Sequence, residues 1–236
     1  MVKPLWAEAA ATLSGPKSDG WTEVIHLVPA NDDVVPQYAV QLPDGWALTQ
    51  GRDNGTGSNA TDDLILTKFD KDGKRLETRI VPRGGHGDRA YCIDGKLVVQ
   101  VKGIWARVTF GSPWSWRGTD TPTRCALRGG DNLQGEARLP SGQWLRLYGG
   151  SIKTDPAWHR GENAYLQVIE GTTVVRRISL DKVARDSDGH PIGGRYEPEG
   201  VSVGTVEGIP CVLVGFAVGQ LGHTTMRVYA KPIEAL

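Results

Sequence analysis

The residues best suited to chemistry are carboxylates placed beside glycine or proline where apolar runs begin. In Tyr196-Glu197-Pro198-Glu199-Gly200-Val201-Ser202-Val203, two acids flank a proline and an alternating run follows. Pro198 fixes its own φ and drives Glu197 towards an extended backbone. Gly200 permits a sharp entry into the run, so both acids are expected on a tight turn at the mouth of a buried strand. Three other stretches share the plan: Pro36-Gln37-Tyr38-Ala39-Val40, Gly87-Asp88-Arg89-Ala90-Tyr91 and Gln134-Gly135-Glu136-Ala137-Arg138. His86 sits among glycines in Gly84-Gly85-His86-Gly87-Asp88. Carboxylates gathered with one histidine can bind a cation, hold sugar hydroxyls, or act as acid and base on a glycosidic bond. The same groups can instead serve only to satisfy backbone amides and ordered water. Gln37 is expected to do only that.

Other chemistries lack their signatures. There is no Gly-x-Ser-x-Gly, no phosphate-cradling loop and no Cys/His nucleophile pair. The remaining histidines lack zinc-ligand spacing. An enzyme is therefore the weaker reading, although two acids suffice for glycoside hydrolysis. Lys plus Arg and Asp plus Glu number 27 each, so no global field attracts nucleic acid or anionic membrane. No apolar run approaches membrane-spanning length, and the N-terminus lacks a basic region followed by an apolar one, so no secretion signal is visible. Cys92, Cys125 and Cys211 are odd in number and widely spaced among small or apolar neighbours; three buried, reduced thiols are expected. Trp114 and Trp116 fall on an apparent loop, placed either to stack on a sugar ring or to pack on a neighbouring surface.

The elements that must position these residues are strands. With 31 glycines, 8 tryptophans and no clear long helical pattern, the composition suits an all-β fold with many tight turns. Residues 1–20 read as a lead-in or attachment segment and 21–236 as one domain. Alternating runs at 38–42, 46–50, 64–69 and 75–81 are separated by turn residues that include Asp72-Gly73. The plan repeats at 89–93, 96–101, 104–110 and 124–127, then at 136–139, 144–148, 163–169 and 174–180. A last group, 201–206, 211–218 and 226–230, holds only three strands. The repeats begin roughly 50–60 residues apart, near the length of a propeller blade. Residues 21–28 form a strand without a partner of its own. A β-propeller of four blades, closed by this N-terminal strand in the last blade, accounts for the pattern and removes exposed edges. A β-sandwich is the rival. Radial repetition would bring His86, Asp88, Glu136, Glu197 and Glu199 together at one end of the axis, with a bound cation, His86 or Arg89 offsetting their repulsion.

These residues also carry a family resemblance. Gly84-Gly85-His86-Gly87-Asp88, then Asp94-Gly95 and Trp105-Ala106-Arg107-Val108, looks like the first half of a signature. The Glu-Pro-Glu-Gly stretch, followed by Leu213-Val214-Gly215-Phe216-Ala217-Val218-Gly219, Gly222 and Arg227-Val228-Tyr229, looks like the second. Gln50 and Gln134-Gly135-Glu136-Ala137 also fit. Over residues 20–231 the chain resembles the β-propeller shared by receptor-binding tail proteins of bacteriophages and teichoic acid biosynthesis protein C. The resemblance implies a virion tail component, such as a minor tail protein, that binds a bacterial surface glycan or teichoic-acid-like polymer. It also implies other tail proteins as partners and an oligomer in the particle. A wall-polymer hydrolase and a purely structural tail or decoration protein are the alternatives. Related domains usually have five blades; the short stretch between Phe110 and Asn132 departs from that pattern and leaves four favoured, with five as the alternative.

Overall fold

The computed structural model describes residues 13–31, 34–53, 55, 62–87, 89–127, 133–149, 164–190, 192, 196–220 and 222–236. Two strands open the chain, β1 (Lys17–Ser18) and β2 (Trp21–Leu27). Blade one holds β3 (Pro36–Leu42), β4 (Gly45–Arg52), β5 (Asp63–Phe69) and β6 (Arg75–Val81). Blade two holds β7 (Ala90–Ile93), β8 (Lys96–Val101), β9 (Ile104–Thr109) and β10 (Ser115–Gly118). Blade three holds β11 (Leu133–Arg138), β12 (Trp144–Tyr148), β13 (Tyr165–Glu170) and β14 (Thr173–Ser179). Blade four holds β15 (Tyr196–Val206), β16 (Ile209–Val218) and β17 (Thr225–Pro232), completed by β2 and β1.

Each blade is an antiparallel meander, and the first strand of each lies innermost: β11 packs beside β15, β15 beside β3, and β3 beside β7. The four sheets form a β-propeller. Local chemistry explains the short connections. Asp94-Gly95, Lys102-Gly103 and Glu207-Gly208 all have positive φ at both residues, the left-handed pair that two-residue hairpins with the twist of β-strands require. Asp70 closes the β5–β6 turn by accepting from the N–H groups of Asp72 and Lys74 at 3.0 and 2.8 Å.

The ring closes where the orphan N-terminal strand predicts. β2 pairs antiparallel with β17, with Leu27 opposite Met226 and Thr22 opposite Ala230. Glu23 fastens the pair: Arg227 donates to both of its carboxylate oxygens at 3.1 and 2.9 Å, and Tyr229 donates to it at 3.2 Å. Trp21 and Leu27 are buried in the flanking cores.

Apolar cores fill three of the junctions between blades. Leu145, Leu147, Val212 and Phe216 join blades three and four; Tyr38, Leu66, Leu97 and Val99 join blades one and two; Leu48, Phe69, Leu213 and Met226 join blades four and one. Among the described residues no such core joins blade two to blade three.

Three local expectations change. Glu197 and Glu199 lie within the eleven-residue strand β15, not on a turn at its mouth; a register shift between Pro198 and Val201 absorbs the proline and glycine. The fourth strand of blade two is β10, which contains Trp116, while 124–127 is not a strand. Trp116 therefore belongs to a strand, opposite Val108, rather than to a loop. Cys125 and Cys211 are buried free thiols, but Cys92 is exposed because it falls near the end of the short inner strand β7.

Candidate functional site

The axis is organised around Tyr38 and Glu136. Tyr38 lies on β3, and its hydroxyl donates to the Val201 carbonyl of β15. The inner strands approach so closely here that a Cβ at Gly200, where φ is 95°, would come within 2.7 Å of the Tyr38 ring. Glycine is the residue that accepts both that contact and that backbone angle. A Cβ at Gly135, beside Glu136, would meet the same ring at 3.1 Å and the Val201 nitrogen at 3.0 Å. Glu136 and the strand following Glu199 are thus brought together at the axis.

Glu136 is 1% exposed yet faces two guanidinium groups. Arg124 Nε donates to Oε1 at 2.7 Å, and Arg146 Nε lies 3.5 Å from Oε2. Arg146, from β12, is 2% exposed and donates through Nη2 to the Leu127 carbonyl. Its Nε and Nη1, together with Glu136 Oε2 and the Tyr91 hydroxyl, are buried and have no hydrogen-bond partner among the described residues. The hydrogen bond to Glu136 raises the pKa of Arg124. Burial, reinforced by the Glu136 charge, pushes the Tyr91 phenol up to about 12. Burial also raises Tyr38, with Tyr91 the next cause. This polar group occupies the junction between blades two and three. Donors and an acceptor lie side by side there, an arrangement that can engage a hydroxyl or a water from both sides.

The other predicted residues fall as follows. Glu199 is buried in β15 and Glu197 is partly buried two residues before it. His86 sits over the ends of β4 and β5, its Nδ1 2.5 Å from the buried Asp62 carboxylate and its backbone against Gly51. Asp88 lies outside the described residues. Trp114 and Trp116 are partly buried against the core shared by blades one and two. Among the described residues no three of His, Cys, Asp or Glu gather as metal ligands. Sequence reasoning missed Arg124, Arg146, Tyr91 and Asp62. The signal for Arg146 was available: a charge between Leu145 and Leu147, in a strand buried on both faces, needs a buried partner.

The sheets and their closure define a four-bladed β-propeller. No known family model and no curated protein sequence matches the chain. Among solved structures it is similar to the tail fibre of Staphylococcus aureus phage P68, with a TM-score of 0.61 over 90% of this chain at 13% identity. At that identity the likeness is one of fold. The chain covers 53% of the fibre chain and so spans about half its length. No helix among the described residues is long and apolar enough to cross a membrane.

Proposed function

We propose that this propeller is a bacteriophage tail component that binds carbohydrate on the bacterial surface, within a virion and beside other tail proteins. The observation that carries the reading is the likeness to a phage tail fibre across nine-tenths of the chain. The chemistry at the axis supports it. Arg124, partly exposed and paired with the buried Glu136, is the solvent-facing donor of this polar group, of a kind that can hold a ligand hydroxyl. His86, Asp88, Glu197 and Glu199, with Glu136, form the proposed binding end, and Trp114 and Trp116 the proposed outer contact.

The test is sedimentation of purified protein with a panel of bacterial cell walls, followed by measurement of wall-polymer length. Binding without shortening supports the reading; shortening assigns a hydrolase instead; absence of binding to every wall overturns it. Glu199→Gln removes a charge and keeps the shape. It weakens binding if the acid faces ligand, and lowers only the melting temperature if the acid braces the strand.

A further inference from the structure

A cleft of about 530 Å³ opens at the mouth where the inner strands end, away from the strand starts that carry Glu197 and Glu199. That volume lies within the ~300–1,000 Å³ of small-ligand sites. Leu42 and Pro43 line one side and the Val203–Val206 segment of β15 the other, where Val203 and Val206 turn to opposite faces of the strand and pack on different cores, while Lys71, Cys92, Thr205 and Glu207 are also in the lining. Lys71, Thr205 and Glu207 are exposed. The Ser14 N–H donates to Glu207 at 3.1 Å and holds its carboxyl below the usual range, so an ionised acceptor faces the cleft.

The walls are fixed before any ligand arrives. Gln41 ties the bounding strands by donating to the Thr205 carbonyl and accepting from its N–H, each at 2.8 Å. These two backbone groups are thereby used, and an extended peptide cannot pair with Thr205 as an added strand. The cleft suits a compact ligand with an apolar face and a hydroxylated rim, which is the character of a pyranose ring.

We infer that this cleft is a second carbohydrate subsite, taking one or two sugar units between the Leu42–Pro43 and Val203–Val206 walls, with Lys71 and Glu207 on their hydroxyls. The inference deepens the carbohydrate-binding reading above and rests on it.

Cys92 supplies the assay, being the exposed thiol in the lining while Cys125 and Cys211 are buried. Native protein is reacted with 5,5′-dithiobis(2-nitrobenzoate) in the presence of glucose, galactose, N-acetylglucosamine or N-acetylgalactosamine, and of polysaccharide purified from bacterial cell walls. The expected result is saturable slowing by at least one of these, with affinity reduced roughly tenfold in Lys71→Ala at unchanged melting temperature. Cys92 reacting at the same rate with every probe, or protection indifferent to Lys71→Ala, overturns the subsite. If walls sediment the protein while Cys92 stays unprotected, the subsite fails and the carbohydrate reading stands. If sugars protect Cys92 but no wall sediments the protein, the subsite stands and the cell-surface reading fails.

Discussion

Gln41 spans the junction between blades one and four and holds the peptide of Thr205 by both its carbonyl and its N–H, at 2.8 Å each. A side-chain amide thus does between blades what backbone pairing does within them. Gly204 makes room for it: a Cβ there would lie 2.2 Å from Gln41 Oε1 and 2.6 Å from Leu213 Cδ1. Gln41→Ala is expected to cost about 0.5–1.5 kcal/mol, because the Thr205 peptide is exposed and water takes over its two hydrogen bonds. Gly204→Ala is expected to be destabilising alone and less so in the Gln41→Ala background. Additive losses in a denaturant-melt cycle of the two variants would show that the contacts are independent.

The Glu136–Arg146 pair is nearly sealed from solvent, so removing one partner strands the other. Glu136→Ala should destabilise by roughly 3–5 kcal/mol, because it leaves the Arg146 charge buried. Adding Arg146→Met should recover part of that loss. Thermal melts of the two variants decide the matter: a double variant no more stable than Glu136→Ala would mean that Arg146 is not stranded.

Closure by β2 makes the N-terminal strand part of the fold. Deleting residues 1–28 removes the β2–β17 ladder and the buried Trp21 and Leu27. The truncated chain is expected to lose cooperative folding. A melting curve superimposable on that of the intact chain would remove closure as a source of stability.

Three buried phenols give stability a definite alkaline limit. Burial raises the pKa of Tyr38, Tyr91 and Tyr229 above the usual 10.0. The unfolded chain releases these protons near pH 10 while the folded chain retains them. Their contribution is therefore complete below pH 10 and declines as pH rises, for Tyr91 through the window to about 12. Tyr91 alone accounts for a loss on the order of 2 kcal/mol. Absorbance titration of phenolate should show these three ionising late and together with unfolding; early ionisation of all tyrosines would contradict their burial.

Thiol counting tests the placement of the cysteines. One thiol per native chain, Cys92, should react readily with a thiol reagent, and all three after denaturation. Neighbouring atoms partly desolvate the Cys92 sulfur and raise its pKa although the residue is exposed, so its rate should climb with pH beyond the range of a simple thiol. Peptide mapping that finds label on Cys211 in the native protein would contradict the burial of β16.

Sequence alone determined the four-blade plan, most of the strands, several hairpin turns and the closing strand. Each rests on local or periodic information: alternation sets which face is buried, Asp94-Gly95 sets a turn, and an unpaired strand at one end must complete a sheet at the other. Tertiary structure decided the rest. The Glu197–Glu199 stretch was placed on a turn because proline and glycine usually end a strand. In the ring, β15 is held on one side by β16 and packed on the other beside β3, and a bulge absorbs both residues. One partner of Glu136, Arg124, was hidden for the same reason. Arg124 comes from outside the sheet, and only tertiary packing brings its guanidinium onto the carboxylate, whereas Arg146 lies directly opposite Glu136 in the β11–β12 hairpin and is placed by local strand register. The cleft bounded by Leu42–Pro43 and Val203–Val206 is equally non-local, since its walls come from opposite ends of the chain and meet only when the ring closes.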